Sequence, residues 1–581
     1  MIDFLPNDKH IKFYEIQLKE MELERKRYVH SPVNKLWAEG RLFFGRIWKY
    51  DEAKGQLILR FKKDSNKKSS LPRLKVPYQL CVVGSDAPSS PKDFTFSYNE
   101  FRESKSVFDS RCVPAYTKKG GDEWRLQGCD QVTLELVSKI KPFLDQGIHP
   151  LIILAEEDPP YKYLQNLRQF VLENPRNTLL NSQIDIYNSH WQPTNLPPHN
   201  ILLDRVLELI DENDNLIIQG PPGTGKTQMI AGICSSYMAN GFGVCVTALT
   251  NKALVEVCQK DPLSAYLRDG HIYKTNLTSD ERKKCKGLRE AKDLMASSSE
   301  LLLTTYYKLS QDLTDLNGKK GKFDILIIEE ASQAYLATIA GFIELGVKVL
   351  MVGDPMQMYP IVQNQEKVNK LHHKIENAIR GLEVYSYANE SISYRIKDSF
   401  RLTTDACEQT GIFYNDSLNS VSTIDGLTNV KGNSKFIPKN GETHFILNKL
   451  SASTDVLISQ AVEIATNLKQ DNKTFEVAIL SNLKKTVDDV YDKIFDHFNS
   501  LDGFTIETID RIQGMTCDIC IVVVESSAQF AFLLNRFNVA TSRSTRGTIF
   551  IARNSIEHMQ SINPLVKRFI DKSNKILISE S

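Results

Sequence analysis

The chain has 581 residues, 41% apolar and 25% charged, the make-up of a globular protein too long for one hydrophobic core. A net charge of +1 excludes a global basic field, so any surface for a polyanion has to be local. No run approaches ~18 apolar residues, and the start, MIDFLPNDKHIKFYE, lacks a basic-then-apolar leader pattern. No membrane segment is therefore expected, and the protein is expected to stay in the cytoplasm, where it is made.

Residues 11–29 (IKFYEIQLKEMELERKRYV) are predicted as a charged amphipathic helix. The stretch 36–63 alternates as strands do, interrupted by glycine and by a turn at Asp51–Gly55. KKDSNKKSSLPRLK (62–75) is basic and serine-rich; it reads as a solvated loop, with a phosphate-contacting arm as the alternative. Residues 76–195 mix short strands, a KKGGDE turn and helices around 131–145 and 161–173, and WQPTNLPPHN (191–200) is a proline-rich linker. The ten cysteines are scattered, mostly in apolar segments, as in a reducing compartment. Cys517 and Cys520 have metal-ligand spacing but no second pair to complete a tetrahedral site, and they read as strand residues.

After the linker, short apolar strands recur at 216–219, 244–248, 301–304, 324–328 and 348–352, and again at 475–481, 519–524 and 548–553, with helical stretches between. Apolar strands alternating with helices imply parallel sheets covered on both faces. The expected class is α/β: a domain over 196–380, another over 381–581, and an accessory region over 1–195. SDERKKCKGLREAK (279–292) is predicted as a basic helix, either a solvated face or one reaching a nucleic acid.

IIQGPPGTGKTQMI (217–230) contains G-x-x-x-x-G-K-[ST] from Gly220 to Thr227, between a predicted strand and a predicted helix. Glycines let the backbone curl so that N–H groups face an anion, and the helix N-terminus adds partial positive charge. Gly220, Pro222, Gly223, Thr224, Gly225 and Gln228 are expected around the phosphates. Lys226 is expected to reach the β- and γ-phosphates and the Thr227 hydroxyl to sit on Mg²⁺. FDILIIEEASQA (323–334) puts two acids at a strand end, where adjacent side chains point to opposite faces. Glu329 is assigned to the metal and Glu330 to the attacking water. A third strand end, MVGDPMQMYP (351–360), carries Asp354 and Gln357.

With GPPGTGKT, these strand ends resemble superfamily 1 helicases, in the branch typified by the nonsense-mediated-decay helicase. TALTNKAL (247–254), LLTTYYKLS (302–310), DSFRLTTDA (398–406) with GIFYN (411–415), IETIDRIQGMTCDI (506–519) and NRFNVATSRST (535–545) follow in the family's order, so the resemblance covers 196–555. It implies tandem RecA-like domains that bind ATP and Mg²⁺ in the cleft between them. Gln357 would sense the γ-phosphate or water, and Arg401 and Arg543 would act as arginine fingers from the second domain. Phe400 would stack on the base, with Gly514 beside the nucleotide. Thr250, Asn251, Thr305 and Thr508 would hold a single strand of DNA or RNA, although such residues also cap the helices that follow them. Departures from the family pattern are Glu329 where Asp is commoner, Thr516 where a ribose-binding glutamate is expected, and Leu402-Thr403 for Met-His. Asn200 stands near where a glutamine should contact adenine.

The resemblance implies an ATP-dependent helicase or translocase moving 5′→3′ on single strands. The alternatives are a nucleic-acid-dependent ATPase that acts as a binding switch without processive unwinding, and a P-loop ATPase with some other substrate. Such helicases often carry a small barrel and helical stalk; 11–29 and 36–85 fit one, placed ahead of the first domain and available to protein partners.

Overall fold

Strands that alternate polar and apolar residues leave unpaired edges unless they close on themselves, and the N-terminal region closes. The computed structural model describes residues 5–53, 55–61, 71–73, 77–117, 123–127, 130–181, 192–424, 427, 434–498, 500–512, 514–525, 528–555 and 562–578. In it β1 (Leu42–Asp51), β2 (Gln56–Phe61), β3 (Tyr78–Val83), β4 (Ser106–Thr117), β5 (Glu123–Gln127) and β6 (Leu151–Ala155) form a closed antiparallel barrel in the order β1-β2-β5-β4-β3-β6. Leu57, Leu59 and Phe61, two residues apart along β2, enter one core with Ile47, Leu80, Ile152 and Leu154. The barrel thus runs to Ala155, well past the expected limit at 85, because it is sealed by the pairing of Leu42–Arg46 with Leu151–Ala155. Most of the basic stretch at 62–75 and of the KKGGDE turn lies outside the described residues.

The helix Asn7–Val29 runs antiparallel to Tyr161–Glu173, with Arg168 Nη2 donating to Glu15 Oε1 at 2.7 Å and Arg25 Nη1 to the Glu156 carbonyl at 3.2 Å. This stalk carries the barrel and docks on the next domain: Phe13 and Tyr14 meet Tyr335 edge-on, and the Tyr163 and Thr338 hydroxyls are 2.6 Å apart.

Two α/β domains, each built on its own sheet, follow in tandem. The first is a 9-stranded sheet of β7 (Thr194–Asn195), β8 (Asn215–Gln219), β9 (Val244–Ala248), β10 (Ile272–Lys274), β11 (Arg289–Glu290), β12 (Leu301–Thr305), β13 (Phe323–Ile328), β14 (Gly346–Gly353) and β15 (Ser393–Arg395), in the order β11-β10-β12-β9-β13-β14-β8-β15-β7. Its strands pair in parallel, and the central ones are buried on both faces, which is why they read as unbroken apolar runs. The sheet corrects the expected boundary at 380, since β15 pairs with β8 and β7 and carries the first domain through Arg395. A three-residue polar strand has no periodicity to read.

The predicted basic helix at 279–292 stops at Lys284. Thr278 and Glu281 form its capping box, and Glu281 is also occupied by buried Lys274 at 3.2 Å. After a short parallel pair, β16 (Asp398–Ser399) with β17 (Asn419–Ser420), the second domain is a 6-stranded sheet. It comprises β18 (Thr443–Asn448), β19 (Val477–Ser481), β20 (Phe504–Thr508), β21 (Ile519–Val523), β22 (Thr548–Arg553) and β23 (Asn574–Leu577), ordered β20-β19-β21-β22-β18-β23. Phe445, Phe537 and Phe550 stack in its core, where Cys517 and Cys520 are also buried. Arg73 ties the barrel to this domain, its Nε donating to Asp488 Oδ1 at 2.9 Å. Among the described residues no helix is long and apolar enough to cross a membrane.

Candidate active site at the domain seam

Between β8 and the helix Lys226–Ala239 the chain curls through Gly223 (φ +74°) and Gly225 (φ +76°), left-handed conformations that favour glycine. This loop and the helix's first turn line a cavity of about 370 Å³, which also takes in Glu329, Glu330, Asp354, Gln357, Phe400, Arg401, Gly514 and Arg543. Lys226 Nζ donates to the carbonyls of Gly220 (2.5 Å) and Pro221 (3.1 Å). Burial lowers its pKa, opposed by the carboxylates of Asp354 and Glu329.

The two acids correct one premise of the sequence reading. β13 ends at Ile328, and Glu330 adopts φ +55°, ψ 36°, so strand alternation stops short of the pair and both side chains line one cavity. Such a conformation in a non-glycine residue costs about 1–3 kcal/mol and persists only where its surroundings hold it. Here Gln333 Nε2 donates to Glu330 Oε2 at 3.2 Å, and a Cβ on Gly514 would lie 3.2 Å from Glu330 Oε1. Burial pushes Glu329 up to about 8 and Glu330 up to about 6, with Lys226 pulling both back. Thr227 Oγ1 is 3.5 Å from Glu329 Oε1, and Glu329 Oε2 is buried with no hydrogen-bond partner among the described residues. A hydroxyl beside a buried, unpartnered carboxylate oxygen suits a hard divalent cation such as Mg²⁺.

The second domain presses on the loop from the other side. Phe400 N donates to the Gly223 carbonyl at 2.9 Å and Ser399 Oγ to the Pro222 carbonyl at 3.0 Å. Arg401 donates through Nη1 to the Ser542 carbonyl (3.1 Å) and through Nη2 to Thr516 Oγ1 (2.6 Å). Burial and the adjacent charge of Arg543 push Arg401 down to about 9. Arg543, 2% exposed, donates through Nη2 to Gln357 Oε1 at 3.2 Å and through Nε to the Val539 carbonyl at 3.0 Å. Neighbouring cations held out of water call for an anion between them.

Phe400 is 44% exposed, and His199 meets it edge-on at 5.2 Å while its own backbone N–H and Nδ1 contact Asp398 Oδ2. The contact beside the aromatic is therefore made by His199, whereas Asn200 next to it is exposed. Thr516, read in the sequence as a missing glutamate, is the acceptor for Arg401. Neither role has a local sequence signal: His199 meets Phe400 across the seam, and Thr516 meets an arginine 115 residues away within the second domain.

The strand-binding candidates are not gathered in one place. The Thr250 and Thr305 hydroxyls cap the helices after them, accepting from Ala253 N (3.2 Å) and Lys308 N (3.4 Å). Thr250 lines the seam cavity, and Asn251 is exposed beside it. Thr508 lies in a separate gap of about 470 Å³ lined by Arg41, Phe43 and Tyr78 of the barrel region and Lys484 and Arg511 of the second domain.

Gly223 offers a direct check on the seam. A Cβ there would sit 2.3 Å from Arg401 Cβ, at a φ that disfavours any side chain. Gly223→Ala is expected to cost about 1–3 kcal/mol of stability and to weaken ATP binding, read by chemical denaturation and nucleotide titration. A variant equal to the wild type in both would mean that the two domains do not meet at this loop.

Residues 205–380 match a family model described as an AAA domain. The chain is 26% identical over 378 residues to the DNA replication ATP-dependent helicase/nuclease dna2 of Schizosaccharomyces pombe, covering 56% of this chain and 26% of that protein. It is 30% identical over 169 residues to the DNA replication ATP-dependent helicase/nuclease DNA2 of Saccharomyces cerevisiae, covering 28% of this chain and 11% of that protein. It thus spans about a quarter or less of the length of these relatives. A crystal structure of arterivirus nonstructural protein 10 (helicase) aligns at 10% identity with a TM-score of 0.35, over 85% of this chain and 76% of that one. The chain therefore carries a P-loop domain of the AAA kind over 205–380 and has sequence homology to Dna2-type helicases across about half its length.

Proposed function

We propose that the protein is an ATP-driven helicase or translocase of superfamily 1, in the branch that resembles the nonsense-mediated-decay helicase, moving 5′→3′ on single-stranded DNA or RNA. The observation that carries this reading is the seam itself: Arg401 and Arg543 of the second domain line the cavity built on the first domain's phosphate loop. A ligand shifts a two-state equilibrium only by its differential affinity. Arginines reaching across the seam supply that difference, because they can hold a triphosphate only when the domains are together.

In this reading Lys226 and the loop N–H groups hold the phosphates, and Glu330 takes a proton from the attacking water. A carboxylate held near 6 is poised for that transfer at neutral pH. Gln357, fixed between Asp354 and Arg543, orients the water. Thr227 and Glu329 would hold Mg²⁺, which would supply neutralising positive charge to the phosphates. Phe400 gives the base an exposed aromatic face beside His199. The strand would run past Thr508 and the basic pair Lys484 and Arg511, beneath the barrel. The partial likeness to dna2, a helicase/nuclease by description, supports nucleic acid as the partner.

The test is ATP hydrolysis with and without an unstructured DNA or RNA strand, followed by unwinding of duplexes bearing a 5′ or a 3′ overhang. Strand-stimulated hydrolysis with unwinding from the 5′ overhang is expected. Stimulation without unwinding would favour a binding switch, and hydrolysis indifferent to any strand would overturn the nucleic-acid reading.

A further inference from the structure

GIFYN (411–415) is a family-like segment to which no step above assigns a role, and its tyrosine lies at the seam. The Tyr414 hydroxyl donates to Asp354 Oδ2 at 2.6 Å and accepts from Asn538 Nδ2 at 2.7 Å. An amide N–H₂ can only donate, so the hydroxyl proton must point at the carboxylate. Asp354 Oδ2 also accepts from Gln357 Nε2 at 2.8 Å, and Asp354 Oδ1 from Met356 N at 3.0 Å. Gln357 Oε1 in turn accepts from Arg543, which follows Asn538 on the same second-domain segment. The result is a hydrogen-bonded ring through both domains: Asp354, Gln357, Arg543, the backbone to Asn538, Tyr414, and back to Asp354. Tyr414, Asp354, Gln357, Asn538 and Arg543 are all under 9% exposed. Asn538 Nδ2 also donates to the Met356 carbonyl at 2.9 Å and Asn535 Nδ2 to the Pro355 carbonyl at 2.9 Å, so the same segment grips the loop that presents Gln357.

We propose that Tyr414 is a positioning residue for ATP hydrolysis: through Asp354 it fixes which way the Gln357 amide faces, and through Asn538 it ties that orientation to closure of the seam. The inference rests on the ATPase reading above. Gln357 is held from both ends, by Asp354 at Nε2 and by Arg543 at Oε1. A phosphate that draws Arg543 away leaves the orientation of the amide to the Asp354–Tyr414–Asn538 side of the ring. Buried hydrogen bonds to a charged group are worth more than ordinary ones, so losing the Tyr414 hydroxyl should be felt at Gln357.

Tyr414→Phe removes one oxygen and keeps the ring's shape. With wild-type protein showing strand-stimulated hydrolysis, Tyr414→Phe is expected to lower kcat by about 10-fold or more while the KM for ATP changes less than about twofold. Asn538→Ser, made because it breaks the chain from the other side, is expected to give the same split. The double variant is expected to be no worse than the poorer single one, as for residues acting through one contact. Unchanged kcat in Tyr414→Phe would overturn the inference while leaving the ATPase reading intact. So would a loss of kcat that tracks a fall in thermal stability with KM rising equally, or fully multiplicative losses in the double variant. A wild-type protein that does not hydrolyse ATP would instead sink the reading on which the inference rests.

Discussion

Glu330→Gln is expected to stop ATP turnover, by about 10²–10⁴-fold or more, while ATP stays bound. The amide keeps the size and the hydrogen-bonding edge of the carboxylate but cannot take a proton. The other described carboxylates that line the cavity are engaged elsewhere: Glu329 faces the Thr227 hydroxyl, Asp354 already accepts from Gln357, Met356 and Tyr414, and Glu256 lies 3.7 Å from the Lys260 ammonium. Glu330 is held up at about 6 by burial and must be ionised to act as a base, so wild-type turnover should fall as the pH drops through about 6. Glu330→Gln should leave only a small residual rate across the same range. Steady-state hydrolysis with a bound-nucleotide assay checks both points. Turnover within a few-fold of the wild type would remove Glu330 from the chemistry.

Arg543→Ala is expected to cut hydrolysis by about 10³-fold, the scale of a lost arginine finger, while nucleotide affinity falls much less. Affinity is anchored mainly in the first domain, by Lys226 and the loop backbone, whereas Arg543 enters from the second. Arg543→Lys should not rescue the rate, since a lysine cannot offer a planar fork to Gln357 and a phosphate oxygen together. Single-turnover hydrolysis set against equilibrium binding separates the two quantities. Equal losses in rate and affinity would reduce Arg543 to a binding residue.

How much of this was legible beforehand depended on whether the signal was local. The phosphate loop was, because its glycines, lysine and threonine lie within one turn flanked by an apolar strand and a helix. The buried parallel strands were as well, because burial on both faces leaves unbroken apolar runs such as Leu216–Ile218 and Ile325–Ile328. The barrel was half read: its first strands alternate plainly, but its closure depends on Leu42–Arg46 finding Leu151–Ala155, a pairing that no short window contains. β15, at Ser393–Arg395, was missed because three polar residues carry no period.

At the site, the premise that Glu329 and Glu330 face opposite ways failed on one left-handed residue, Glu330, whose φ of +55° is set by its surroundings. Thr250 and Thr305 look like strand contacts by resemblance, and their hydroxyls also accept from the N–H groups of the helices that follow, which leaves their own O–H protons to donate. His199 and Tyr414 were invisible as site residues because each acts across the seam, and Thr516, read only as a missing glutamate, meets Arg401 from 115 residues away.

The sharpest measurement is the distance between spin labels on the two α/β domains. Val347→Cys in the first and Leu450→Cys in the second suit it, being 57% and 65% exposed where the described cysteines are all buried. If opposing arginines and lysine clasp one triphosphate, the labels should sit at a single short distance with ATP held by Glu330→Gln and spread to longer distances in wild-type protein with ADP. Identical distance distributions in the two states would contradict a nucleotide-driven seam.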